Sequence, residues 1–134
     1  MKRVILESPF KGDVALNIAY ARACVADCLR FGESASVSHL VFTQPGILDD
    51  NIPEERQLGI DAGLAWRHVS DGSVAYIDLG VSSGMKYGLA LAADSGKSTE
   101  ERRLPPEAMA QVHVEAQRIR ESGQLWPLAL LLAA

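Results

Sequence analysis

The residues of this chain that could bind a ligand lie in three short polar segments, each of which follows an apolar run. The segments are residues 8–13, 43–45 and 78–84. Asp78 could accept hydrogen bonds from sugar hydroxyls or from a base, and Gln44 could bind an amide or a base edge. The glycines would let a ligand approach the backbone. The predicted ligand-binding residues are Ser8, Pro9, Phe10, Gly12, Asn17, Gln44, Gly80, Ser82, Ser83, Gly84 and Met85.

Each of these candidates also has a purely structural interpretation. Asp78 could cap a turn, Asp13 could be only the N-cap of the first helix, and Ser82 and Ser83 could cap a later one. Asn17 could be a solvated helix residue. Both interpretations stay open at the level of the sequence.

No metal ion or cofactor is predicted. Asp49 and Asp50 fit a solvated loop better than a metal site. Cys24 and Cys28 lie four residues apart in a helical pattern, with no histidine or cysteine at ligand spacing nearby, so they are interpreted as small apolar core residues. His39 is interpreted as a core histidine in the middle of a strand.

The elements that would position these segments alternate between strand and helix. Apolar residues at spacings of three and four predict helices, and short β-branched runs predict strands. Asp13 should cap the first helix and Gly32 should end it. The predicted strands are residues 3–7, 37–42, 74–77 and 98–103, and the predicted helices are residues 13–31, 53–69 and 84–93 and a last helix from 105.

This order predicts an α/β domain spanning residues 1–134, with a mostly parallel sheet of about four strands covered by helices. In such a sheet the three polar segments lie at one edge, where ligands bind. The second helix should bury a stripe formed by Leu58, Ala62, Ala65 and Val69, and Gly59 and Gly63 indicate close backbone packing. The last helix and an apolar tail begin at about residue 105.

The composition limits the class of protein. A hydrophobic content of 48% and a charged content of 22% are ordinary for a globular domain. The net charge of −4 argues against a binder of duplex nucleic acid. The apolar tail is about half the length of a membrane span, which leaves a docked tail or an oligomer contact as the expectation. Unpaired cysteines favour a cytoplasmic location.

No complete catalytic motif is present: the chain has no GxSxG, P-loop or GxGxxG sequence.

The opening RVILESPF, the helix rich in Ala and Asn that follows it, and DLGVSSGMKYGLALA together resemble the nucleoside 2-deoxyribosyltransferase superfamily. The chain is similar in particular to small, phage-type members with a TQPG-like loop. The resemblance covers residues 3–104. It implies a Rossmann-like, flavodoxin-related three-layer sandwich that binds a nucleoside or nucleotide at the carboxyl ends of the strands. It also implies a homo-oligomer, a dimer or larger.

The resemblance further implies a glutamate nucleophile on the third helix, in a pattern like D-x-G-T-x-x-E-x-G. Ser82 or Ser83 falls near the aspartate of that pattern, and Gly84 matches its glycine. The glutamate is expected near Tyr87 or Gly88, but residues 84–93 contain no carboxylate. Attack on an anomeric carbon needs a carboxylate.

Three hypotheses therefore follow. The chain binds a nucleoside or nucleotide without the usual glutamate, or it hydrolyses or transfers an N-glycosidic bond with a relocated carboxylate, or it is an interaction module with a vestigial cleft. Asp78 and Asp13 are the predicted catalytic residues under the second hypothesis, and Glu7 is a further substitute.

Overall fold

A computed structural model describes residues 1–123 of the chain, and these form an α/β fold. The tail for which docking was predicted lies outside the described residues. The elements in chain order are β1 (Lys2–Glu7), α1 (Val14–Arg30), β2 (Glu33–Ser36), α2 (Ser38–Val41), α3 (Pro53–Arg67), β3 (Gly72–Tyr76), α4 (Ser83–Asp94), β4 (Ser98–Arg102) and α5 (Pro106–Ser122).

The four strands form one sheet in the order β2-β1-β3-β4, and every neighbouring pair is parallel. From β1 the chain crosses to β2 in one direction, whereas from β3 it crosses to β4 in the other. Right-handed crossovers therefore place α1 and α4 on opposite faces of the sheet. The predicted Rossmann-like three-layer sandwich is confirmed.

The core lies mainly between the sheet and the layer of α1 and α5. Ile18, Tyr20, Cys24 and Cys28 on α1 are fully enclosed. Helix α5 packs against α1 through residues that include Val112. Burial of this apolar surface is the main stabilising contribution to the fold, at about 25 cal/mol per Å².

Helix caps fix the positions at which two loops leave the sheet. The Asp13 carboxylate accepts a hydrogen bond of 3.2 Å from the Leu16 N–H, and Ser82 Oγ accepts one of 3.2 Å from the Met85 N–H. Gly32 follows α1 with a φ of 72°, a conformation that suits glycine. The predicted starts of these two helices are confirmed.

The prediction of a strand over residues 37–42 is wrong. The second strand is Glu33–Ser36, and Ser38–Val41 forms the short helix α2, which carries His39. Glu33 is buried because the Arg102 guanidinium donates hydrogen bonds of 2.6 and 2.7 Å to its carboxylate. The hydrophobic pattern did not indicate β2, because a charged residue occupies a buried position of this strand.

The predicted burial of the α3 stripe is also wrong. Leu58 is 59% exposed and Val69 is 48% exposed, and no residue of α3 is fully buried. The opposite face of α3 turns inward, because its glycines allow close contact with α2 and with the loop that follows α2. A Cβ atom at Gly63 would lie 2.9 Å from Ser38 Oγ, and one at Gly59 would lie 3.2 Å from a Leu48 methyl group.

Within residues 1–123, no helix is both long enough and apolar enough to cross a membrane.

Candidate functional site

A cavity of about 450 Å³ opens at the carboxyl edge of the sheet. Its walls come from the ends of β1 and β2, from α2 and α3, and from the first two turns of α4. The chain leaves β1 toward one face of the sheet and leaves β3 toward the other. This divergence is the topological switch point at which α/β proteins bind ligands.

Glu7, the last residue of β1, contributes a buried carboxylate to the cavity wall. The Arg67 guanidinium on α3 donates a 2.8 Å hydrogen bond to it, and the two side chains are only 11% and 14% exposed. Burial raises the pKa of Glu7, and the hydrogen bond and charge of Arg67 oppose that increase. The pair thus holds a carboxylate in a poorly solvated position beside an open cavity.

Gly88 on α4 makes room for this carboxylate. A Cβ atom at position 88 would lie 2.6 Å from Glu7 Cδ and 2.7 Å from Oε2, and closer still to Oε1. Any side chain at position 88 would therefore overlap the carboxylate. The Glu7 carboxylate occupies the space into which a residue at position 88 of α4 would begin to project.

Ser8 and His39 form a second polar pair on the same wall. Ser8 Oγ and His39 Nε2 share a hydrogen bond of 2.7 Å. Burial lowers the pKa of His39 to about 4, so the imidazole is neutral near pH 7. Because Glu7 and Ser8 are consecutive, one strand end carries both pairs.

Lys97 anchors the end of α3 that carries Arg67. Its Nζ donates hydrogen bonds of 2.8, 3.0 and 2.7 Å to the carbonyl oxygens of Arg67, His68 and Ser70. A lysine that binds the last carbonyls of a helix both satisfies them and complements the helix dipole. Lys97 therefore holds in place the segment from which Arg67 reaches Glu7.

The other charged groups of the cavity are mostly paired. Arg56 lies 3.9 Å from the Asp50 carboxylate, and the Glu55 carboxylate accepts a hydrogen bond from the Asp49 N–H. Lys11 lies on the cavity wall and has no ion-pair partner among residues 1–123. No group of three potential metal ligands occurs in this part of the chain.

Six of the eleven predicted ligand-binding residues line this cavity. They come from the loop after β1 and from the start of α4: Ser8, Phe10, Ser82, Ser83, Gly84 and Met85. Pro9, Asn17 and Gly80 border a second, more open depression beside it, which shares Lys11 and Ser82 with the first. Gly12 and Gln44 line neither, and Gln44 donates its amide hydrogen to the Leu40 carbonyl oxygen at 3.0 Å.

The two carboxylates predicted to be catalytic are engaged elsewhere. Asp78 accepts hydrogen bonds of 2.6 Å from the Tyr20 hydroxyl and 3.0 Å from the Leu104 N–H, and it lines neither cavity. Asp13 caps α1, lies 2.8 Å from the Arg120 guanidinium, and borders only the open depression. Of the three carboxylates considered as catalytic from the sequence, only Glu7 lies on the wall of the cavity between α2, α3 and α4.

Sequence reasoning missed Arg67 and Lys97, and it placed His39 in a strand. Nothing in a single sequence links Arg67 to Glu7, because the pair is 60 residues apart. A glycine in the middle of α4 was the available signal for Gly88, since glycine weakens a helix unless its small size is needed.

The chain belongs to the family described as Domain of unknown function (DUF7768), whose model matches residues 2–102. The match runs from β1 to the end of β4 and therefore includes every element that lines the cavity. No curated protein and no solved structure gives a match.

Proposed function

We propose that this protein binds a nucleoside or nucleotide in the cavity at the carboxyl edge of its sheet. The observation that supports this most directly is the position of the cavity, at the switch point between β1 and β3, with two polar pairs on one wall. The resemblance of residues 3–104 to nucleoside-binding proteins supports the same ligand class.

The size and lining of the cavity suit such a ligand. A volume of about 450 Å³ falls within the range of small-molecule sites. Phe10, Phe42 and Tyr87 supply aromatic surface on which a base can stack, and Ser8 and Glu7 can bind hydroxyl groups. Lys11 supplies a cation with which a phosphate can pair.

A thermal-shift screen with nucleosides and their monophosphates tests the proposal. A ligand at 100 times its dissociation constant stabilises the protein by about 2.7 kcal/mol, which raises Tm by roughly 8 °C for a domain of this size. Lys11→Gln should weaken binding of a monophosphate but not of the nucleoside. The matched control is Lys86→Gln, since Lys86 is exposed on α4 and lines neither cavity.

If no nucleoside or nucleotide shifts Tm, the proposed ligand class is wrong. The interaction module with a vestigial cleft then becomes the better hypothesis.

A second function, cleavage of an N-glycosidic bond, is favoured by Glu7. Its carboxylate lies over Gly88 on α4, so a carboxylate is present at the cavity although α4 itself supplies none between residues 84 and 93. In this proposal the ionised Glu7 attacks the anomeric carbon while the bond to the base breaks, and the base leaves with a proton from water. Water then hydrolyses the glycosyl ester.

Release of free base, measured by chromatography, tests this second function. Glu7→Gln should abolish release, because the amide cannot act as the nucleophile. Asp78→Asn and Asp13→Asn are matched controls that remove carboxylates outside the cavity that Glu7 lines. Base release that survives Glu7→Gln, or that is lost only in Asp78→Asn, would contradict the role of Glu7.

We also propose a homodimer that forms through α3. Leu58, Ala65 and Val69 are exposed along and just after α3 and Ala62 is half-buried, so the stripe has large residues at its ends and alanines between them. Two copies of this stripe packed antiparallel would place Leu58 against Val69 and alanine against alanine across a twofold axis. An interface of this kind is self-complementary.

Light scattering at micromolar concentration tests the dimer. The wild-type chain should show twice the mass of the monomer, and Ala65→Arg should give the monomer. Ala90→Arg, on the exposed side of α4, is the control. A monomeric wild type, or a dimer that persists in Ala65→Arg, would exclude this interface.

A further inference from the structure

The pairing of Ser8 with His39 resembles the arrangement by which hydrolases activate a serine hydroxyl. The two atoms are 2.7 Å apart, both residues line the cavity, and they come from different elements, the end of β1 and α2. Ser8 Oγ has no other hydrogen-bond partner among the described residues. A serine hydroxyl next to an unprotonated imidazole can transfer its proton as it attacks a carbonyl carbon.

We propose that Ser8 is a nucleophile that accepts acyl groups in this cavity, with His39 as its proton acceptor. The first turn of α4 lines the same cavity, and the positive end of its dipole favours the negative charge that develops on the carbonyl oxygen. The inference needs an open cavity but does not need a nucleoside as its occupant.

The reaction balances as two steps. Ser8 Oγ attacks the carbonyl carbon, its proton passes to His39 Nε2, and the bond from that carbon to the leaving oxygen breaks to give acyl-Ser8. The leaving group takes the proton from His39. A water molecule then attacks the acyl carbon, gives its proton to His39 and releases the carboxylic acid, and the proton returns to Ser8 Oγ.

The surroundings of His39 select the class of acyl donor. Burial holds the pKa of His39 at about 4, which makes the imidazole a weak base. General-base catalysis depends on the basicity of the proton acceptor. A weak base therefore favours acyl donors that are already reactive toward a hydroxyl group. The expected donors are activated esters and acyl anhydrides, whose leaving groups are themselves weak bases, and not ordinary alkyl esters.

The 134-residue chain can be tested with a fluorophosphonate probe and with p-nitrophenyl acetate. We expect one covalent addition by intact-mass spectrometry, located on Ser8 by peptide sequencing, and release of p-nitrophenolate with an initial burst. Ser8→Ala should abolish both. His39→Gln should slow both about 100-fold, the size typical of a general base.

Two controls separate chemistry from misfolding. Ser34→Ala, an exposed serine on β2, should leave labelling unchanged, and circular dichroism should show that each variant is folded. Labelling on another residue, labelling that persists in Ser8→Ala, or an unchanged rate in His39→Gln would overturn the proposal. Folded wild-type protein that does not react would overturn it as well, whatever the nucleoside screen shows.

Discussion

Because Gly88 contacts the Glu7 carboxylate, we expect Gly88→Ala to destabilise the protein. The same substitution one turn earlier on α4, Gly84→Ala, should not. Gly88→Ala places a methyl group within 2.7 Å of the Glu7 carboxylate. That carboxylate is held by Arg67 on one side, so it cannot move without loss of the 2.8 Å ion pair. The substitution therefore forces either overpacking or the separation of a buried pair.

The magnitude follows from those two alternatives. Overpacking costs about 1–3 kcal/mol, and loss of a buried ion pair costs about 3–5 kcal/mol, whereas alanine regains about 0.8–1 kcal/mol of helix propensity. The net loss in the free energy of unfolding should therefore be up to about 2 kcal/mol if the clash is absorbed as overpacking, and about 2–4 kcal/mol if the ion pair separates. Gly84→Ala is the matched control, because the nearest atom to its added Cβ is 4.0 Å away. It should leave stability unchanged or raise it by up to about 0.5 kcal/mol.

Urea denaturation of four proteins measures this effect: the wild type, Gly88→Ala, Glu7→Ala and the double variant. In the Glu7→Ala background the clash is absent, so Gly88→Ala should be neutral or stabilising by about 0.5–1 kcal/mol. An equal loss in both backgrounds would refute the assigned contact. A single Gly88→Ala variant that is more stable than the wild type would also refute it.

Three further predictions concern His39, the two cysteines and Asp78. The pKa of His39 is about 4 in the folded protein and near 6.5 when unfolded. The unfolded chain thus binds the proton first, and stability should fall by about 3 kcal/mol as pH drops from 6.5 to 4. Urea denaturation at several pH values should show this loss in the wild type and in His68→Gln but not in His39→Gln. Burial raises the pKa values of Cys24 and Cys28, so Ellman's reagent should label them only when the protein unfolds; labelling in native buffer would contradict their burial. Asp78→Ala should lower the free energy of unfolding by about 2–4 kcal/mol, because the Tyr20 hydroxyl and the Leu104 N–H both lose their acceptor. A change below about 0.5 kcal/mol would show that these hydrogen bonds are not formed.

The architecture could be predicted from the sequence because its signals are local. Apolar periodicity and the caps at Asp13 and Ser82 locate α1 and α4, and the alternation of elements implies the parallel sheet. The second strand was misplaced because the burial of Glu33 depends on Arg102, 69 residues later in the chain. A hydrophobic pattern contains no information about such a partner.

The functional site was only partly predictable for the same reason. The loops that line the cavity follow from the rule that ligands bind at the carboxyl ends of strands, and that rule correctly brought Ser8 together with Ser82 and Gly84. The polar pairs depend instead on α2 and α3. The sequence pattern predicted that the apolar stripe of α3 faces inward. With α3 in that orientation, the contact of Arg67 with Glu7 could not be predicted.

The inward orientation of Arg67 also explains why α3 has no fully buried residue. A helix that turns glycines and an arginine toward a cavity gains little from apolar burial. Its contacts with the rest of the fold include those of Gly63 with Ser38 and Gly59 with Leu48, the pair with Glu7, and the hydrogen bonds from Lys97. Few buried apolar contacts are typical of segments that open locally at low free-energy cost. A ligand in the cavity would add contacts to the inner face of α3, and a second copy of the chain would cover its outer face. The Glu7–Arg67 pair thus depends on a helix that has no fully buried residue, and a ligand in the cavity would stabilise that helix.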